Sequence, residues 1–194
     1  MVEESFAMDA LDMEAGGGGG DEAENLRDDI RITQRGGFPF IAGSVIIWTL
    51  IAVATSLGLP QLTENMAVLC CACPLLLLAY GVGKIFKVDV FDRSNPLWKI
   101  GIIATCNQII YLLIVMWVYA ANPGKMLMVY AMIFGAHFLP YSWLYKARIY
   151  LVTSIALPIA ALVMGLYLPK NIMAAAIACY EIVFALILYK TTKK

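Results

Sequence analysis

Apolar and polar residues are segregated into long blocks along this chain. After a polar stretch that ends near Arg35, six apolar runs follow at Phe38–Leu59, Met66–Phe86, Trp98–Ala121, Met126–Tyr145, Ile149–Leu168 and Ile172–Tyr189. Each is about as long as the roughly 20 residues that a helix needs to cross about 30 Å of hydrocarbon. The runs are continuous and lack the period-two alternation of lipid-facing strands, so a membrane β-barrel is excluded. Helix is then the conformation that satisfies every backbone polar group inside lipid. The pattern predicts an all-α polytopic membrane protein, a bundle of six transmembrane helices forming one domain over residues 36–190. Its connections carry breakers at Pro60–Asn65, Asn122–Lys125 and Pro169-Lys170, which end each helix and make neighbours antiparallel.

Composition strengthens this picture. Hydrophobic residues make up 61% of the chain and charged residues 14%, with a mean hydropathy of +0.77, whereas soluble domains carry about 25% charged residues. The net charge of zero conceals an asymmetry that fixes an expected orientation. With six spans, Arg27, Arg31, Arg35, Lys84, Lys87, Arg93, Lys99, Lys146, Arg148, Lys190, Lys193 and Lys194 fall on one side and only Lys125 and Lys170 on the other. The positive-inside rule then predicts a multi-pass protein of the cell membrane (inner or plasma membrane) with both termini cytoplasmic. Trp98, Tyr141, Trp143, Tyr145, Tyr150 and Tyr189 fall at the expected inner boundary and Trp117, Tyr119 and Tyr167 at the outer one, positions that read as interfacial anchors.

The first 35 residues, acidic and interrupted by Gly16–Gly20, are too polar to bury a core and read as a disordered cytoplasmic tail, with Asn25–Gln34 able to form a short amphipathic helix. Residues 191–194 form a basic cytoplasmic tail. The lipid bilayer is the partner that the composition requires. No basic stripe interleaved with exposed aromatics suggests nucleic acid. Cys70, Cys71, Cys73, Cys106 and Cys179 all lie in apolar runs and read as free, buried thiols; Cys70-Cys71-Ala-Cys73 has no nearby His and matches no zinc spacing. No metal and no cofactor is expected.

Candidate chemistry lies at the depth of the spans. Glu181 falls mid-way along the sixth, where a carboxylate facing lipid costs several kcal/mol; Ala174, Ala178 and Ala185 share its helical face, so that face is expected to pack inward. His137, the only histidine, lies in the fourth span beside Pro140, which is expected to bend the helix and free a backbone carbonyl. Asn107, Gln108 and Tyr111 read as a polar stripe on the third span. These residues, with Tyr180, are expected to converge on one half-depth site for a ligand or ion. Pro74 and Pro158 are further kink candidates, and the Ala156–Ala160 and Ala161–Gly165 spacings are packing seams. Trp48 reads as filling a helix interface, and the Lys87–Lys99 loop as a solvated turn.

The stretch Phe134-Gly-Ala-His-Phe-Leu-Pro-Tyr-Ser-Trp-Leu-Tyr145, with Leu26-Arg-Asp-Asp-Ile30 and Asn95-Pro-Leu, resembles a family of small, uncharacterised bacterial multispan integral membrane proteins of unknown function. The resemblance covers about residues 25–190. It implies a single membrane domain and assigns no activity.

Two function classes follow from the residues. A small transporter or channel-like protein would use Glu181 and His137 as proton- or cation-responsive groups for a small-molecule or ion substrate. A non-transporting subunit, or a lipid-binding sensor, would use the same polar residues to fix helix packing, at about 0.6–2 kcal/mol per interhelical hydrogen bond, and could assemble as a homo-oligomer. A structural hydrogen bond needs no ionisable group, which favours a functional role for Glu181. No phosphate loop, His-Glu metal pair or nucleophile elbow points to an enzyme, and turnover of a lipid or isoprenoid ranks third.

Overall fold

The computed structural model describes residues 17–192, and its regular elements are all helical. They are α1 (Gly17–Thr33), a 3-10 turn at Arg35–Gly37, α2 (Phe38–Ala54), α3 (Gln61–Ala72), α4 (Leu75–Phe86), α5 (Trp98–Ala121), a second 3-10 turn at Pro123–Lys125, α6 (Met126–Ala136), α7 (Leu139–Leu144), α8 (Arg148–Tyr167) and α9 (Lys170–Thr191). Grouped across their breaks, these give six helices long and apolar enough to cross a membrane, as the apolar runs predict. Two spans are divided at prolines. Pro74 caps α4 where it leaves α3, and Pro140 stands in the first turn of α7, just past the break after α6. Pro158 lies inside α8, which continues through it without interruption.

The first span is the hub. α2 packs most extensively on α9 and also on α4 and α3, while α6 packs on α8 and, with α7, on α5. Burial follows from this arrangement: 56% of the first span is buried, but only 17% of the second and 11% of the third. Those two peripheral spans present large apolar residues outward, such as Leu77, Ile103 and Trp117, as a surface facing acyl chains would. α4 and α5 make no extended contact with each other. The gap between them frames the site described below.

Close approach of the helices rests on small residues. On α9 the buried face is Ala174, Ala178, Glu181 and Ala185. Between α6 and α8, a Cβ placed on Gly135 would come within 2.6 Å of Pro158 Cδ, so glycine is required there. The pyrrolidine ring cannot rotate aside. Gly135→Ala is therefore expected to cost about 1–3 kcal/mol by overpacking, seen as a lower midpoint of unfolding in mixed detergent micelles; an unchanged midpoint would refute the tight α6–α8 contact. Trp48 is fully buried between Tyr130 and Phe134 and fills the helix interface.

Three findings differ from the sequence reading. First, the helix expected at Asn25–Gln34 starts earlier, running from Gly17 to Thr33, and it buries Ile30 in the core. Tertiary contacts, and not intrinsic propensity, hold a glycine-started helix of this composition; residues 1–16 and 193–194 lie outside the described residues. Second, the cysteines are free, but Cys70, Cys73, Cys106 and Cys179 lie on exposed faces, Cys106 on the cleft described below and the others where lipid accepts an apolar thiol as readily as a core does. Third, Tyr145 and Tyr150 are buried at 3% and 2% exposure, so they are core residues and not interfacial anchors. Their hydroxyls donate to Gln34 Oε1 (2.8 Å) and to the Gly36 carbonyl (2.7 Å). Gly36 and Gly37 both have positive φ, 56° and 77°, which turns the chain from α1 into α2 at the point where those tyrosines pack.

Candidate functional site: a half-depth cleft backed by a buried acid

A cleft of about 320 Å³ opens between α2, α4, α5 and the α6–α7 break, with the loop after α4 and the α1–α2 turn at its mouth. The volume falls at the lower end of the range, about 300–1,000 Å³, typical of small-molecule sites. Gln34, Asp92 and Arg93 stand at the mouth, and Ser44, Gln108 and His137 lie furthest along their spans from it. The wall between is apolar and aromatic, including Phe134, Phe138, Tyr141 and Tyr150. No lining residue comes from the connections at the other end of the bundle. There Lys170 pairs with Glu64 and Gln61, and Asn65 Nδ2 donates to the Pro123 carbonyl at 2.9 Å, tying three loops together.

Ser44 connects the cleft to the buried acid. It stands on the α2 face that meets α9, and its Oγ is 2.5 Å from Glu181 Oε2 and 2.7 Å from the Ile41 carbonyl. Glu181 is 0% exposed, and its Oε1 has no hydrogen-bond partner. The hydroxyl has a single proton and two acceptors, so it can donate to only one of them. A carboxylic acid satisfies the pair, with Glu181 donating to Ser44 Oγ and Ser44 donating to the Ile41 carbonyl. A carboxylate forces the hydroxyl to turn from Ile41 to Glu181. The Ser44–Glu181 pair thus has two hydrogen-bond arrangements that differ by one proton.

His137 owes its geometry to the helix break. The Phe138 amide bonds to the Gly135 carbonyl at 3.2 Å, not to Phe134 one turn earlier, and the freed Phe134 carbonyl accepts a hydrogen bond from His137 Nδ1. That bond places a proton on Nδ1 and, in the neutral imidazole, leaves Nε2 as an acceptor. The imidazole is packed against Phe138 at 4.3 Å and Phe134 at 5.4 Å between centroids. Thr105 Oγ1 and the Tyr141 hydroxyl, 3.1 Å apart, join α5 to α7 across the cleft wall.

The structure separates the residues that the sequence groups together. Gln108 and His137 line the cleft, and Glu181 lies one hydrogen bond behind its wall. His137 and Glu181 do not bond to each other. Asn107 and Tyr111 lie on exposed faces of α5, because one residue along a helix turns the side chain by about 100° and the cleft takes Gly101, Thr105 and Gln108. Tyr180 bonds to Thr153 Oγ1 at 2.7 Å, between α9 and α8, and does not line the cleft. Ser44 is an addition that sequence reasoning misses, while Thr105, next to the polar stripe of the third span, and Asp92 and Arg93, in the loop read as a solvated turn, join the cleft lining. Among the described residues no cluster of three His, Cys, Asp or Glu side chains suits a metal ion.

The mouth is braced by α1. Asn95, in the loop after α4, donates through Nδ2 to the Leu26 carbonyl (2.7 Å) and to Asp29 Oδ2 (2.8 Å), and its Oδ1 accepts the Leu97 amide (2.9 Å). On the other side Arg27 donates to the Trp143 carbonyl and lies over the Trp143 ring, while Lys146 meets Glu24 and Asp28 at 2.8 and 2.9 Å. Those carboxylates raise the Lys146 ammonium above the usual lysine value. While both carboxylates are ionised, their contribution to docking is present below the ordinary lysine range and is lost as pH climbs through the raised value. At the mouth itself the Ser94 amide, and then its hydroxyl, hold the Asp92 carboxyl below its usual value, so Asp92 is an anion at neutral pH.

The model of a family of unknown function, DUF7010, matches residues 23–191. The chain belongs to that family. Comparison with curated proteins and with solved structures gives no match. The DUF7010 match begins inside α1, so the family unit takes in the Asn95 clasp as well as all six spans. Leu26-Arg-Asp-Asp-Ile30 and Asn95-Pro-Leu, far apart in sequence, are the two halves of that clasp.

Proposed function

We propose that this protein is a small membrane transporter whose cleft admits a substrate with an apolar body, with the Ser44–Glu181 pair as its proton- or cation-responsive group. One observation carries the reading: a fully buried carboxyl bonds to Ser44, a hydroxyl in the cleft wall, and keeps one oxygen unpartnered. A structural hydrogen bond needs no ionisable group, and a buried acceptor left unmet costs about 1–3 kcal/mol, which together favour a responsive role for this carboxyl. The sparse contact between α4 and α5, both of which line the cleft, would allow a lateral route from the bilayer. The Lys and Arg distribution supports an orientation with both termini, and so the mouth of the cleft, on the cytoplasmic side of the cell membrane.

The test is flux or ligand binding in reconstituted vesicles, comparing wild type with Glu181→Gln and Ser44→Ala. Both variants are expected to lose at least tenfold in activity while keeping the wild-type unfolding free energy to within about 1–2 kcal/mol. Undiminished activity in folded Glu181→Gln would remove the carboxyl from the mechanism.

A second reading, a lipid-binding sensor or subunit that moves nothing across the membrane, is favoured by the closure of the far end around Glu64 and Lys170. It predicts saturable lipid binding with no flux in the same vesicles.

A further inference from the structure

We propose that the cleft selects an organic cation, a positively charged group carried on an apolar body of aromatic size. This rests on the transporter reading for its location and adds the charge of the ligand.

Three features of the site agree on the sign. The wall is built from Phe134, Phe138, Tyr141 and Tyr150, and aromatic faces carry negative potential that attracts cations, more strongly where water is excluded. The fixed charges of the lining are Asp92 and Arg93, both at the mouth; the Arg93 guanidinium is committed to the Trp98 ring, 5.1 Å from its centroid. Beyond the mouth there is no Lys or Arg to meet an anion. The polar groups at depth can offer lone pairs: His137 has its proton on Nδ1 and its Nε2 free, Gln108 can turn its amide oxygen to the cleft, and behind Ser44 lies the unpartnered Glu181 oxygen. An anion placed here would be desolvated against acceptors and ring faces, which is unfavourable. A cation would exchange its water for aromatic faces and for the carboxyl one hydroxyl away.

Cys106 supplies the readout, because it lines the cleft and is exposed. The full chain carrying Cys70→Ser, Cys71→Ser, Cys73→Ser and Cys179→Ser would be placed in phosphatidylcholine nanodiscs. Alkylation of Cys106 by a membrane-permeable maleimide would then be timed against rising tetraphenylphosphonium, with tetraphenylborate as the anion of the same shape and dodecanol as a neutral probe. The expected result is saturable protection by tetraphenylphosphonium, slowing alkylation at least tenfold, with none from tetraphenylborate. Glu181→Gln should raise the concentration needed at least tenfold, and Asp92→Asn, which lies outside the spans, about threefold.

Equal or better protection by tetraphenylborate would overturn the inference. So would protection by tetraphenylphosphonium that is indifferent to both Glu181→Gln and Asp92→Asn. Protection by dodecanol alone would overturn the cation preference and leave the cleft as a binding site, whereas no protection by any probe would overturn both. If Glu181→Gln fails to fold, the Asp92→Asn shift and the comparison of the two ions decide the matter.

Discussion

Trp48→Ala is expected to destabilise the bundle by about 3–5 kcal/mol, the range for removing a fully buried large aromatic. Trp48 is 0% exposed and packs against Phe134 at 5.3 Å and Tyr130 at 5.7 Å. Its Nε1 has no hydrogen-bond partner, so the loss is one of packing alone. In lipid the cost falls on packing, because helices there associate through close contact and polar bonds without a hydrophobic drive between them. Trp48→Phe keeps one aromatic ring and removes the pyrrole part of the indole with its unused N–H; it should cost roughly 1–2 kcal/mol, well under the alanine change. Denaturation of both variants in mixed micelles checks the pair, and equal losses would show that the indole is not a packing element. Because Phe134 also lines the cleft, the alanine variant should loosen the wall beside His137 as well.

Asn95→Ala should detach α1 while leaving the spans folded. Asn95 is 4% exposed and makes three hydrogen bonds, each worth about 0.5–1.5 kcal/mol, with the one to Asp29 at the upper end because its acceptor is charged. A local loss of about 2–4 kcal/mol is expected. Hydrogen exchange should therefore accelerate by one to three orders of magnitude over Gly17–Thr33 and stay unchanged over α9. Asn95→Asp would add repulsion with Asp29 and should exceed the alanine effect. Unaltered protection of α1 in Asn95→Ala would mean that Arg27 and Lys146 hold the helix without the clasp.

The spans are legible because hydrocarbon imposes a length and a polarity on them that few sequences satisfy by chance. The inward position of Glu181 is legible for a related reason: alanines at its own helical spacing mark a face that must meet another helix. Its partner is not legible. Ser44 is one small hydroxyl in an apolar run, and nothing local distinguishes a serine that bonds its own helix from one that also reaches a carboxyl 137 residues away. Asn107 and Gln108 show a second limit, since depth follows from position in the run but rotation of α5 depends on which neighbours it has. The Lys87–Lys99 loop shows a third. Its charged residues look solvated, yet Asp92 and Arg93 border the cleft and Asn95 is buried by α1, a docking partner whose own sequence reads as a tail.

The pairing of α2 with α9 has a consequence for how the molecule is made. The first span of the bundle has the sixth as its principal neighbour, so Ser44 must wait for the synthesis of 137 further residues, roughly 7–27 s at about 5–20 residues per second. During that interval the hub lies in the bilayer with its best surface vacant, and the acid arrives only as the final segment inserts. Biogenesis of this bundle therefore ends with its assembly step, and a chain cut short before the last helix would leave an open seam for quality control to find.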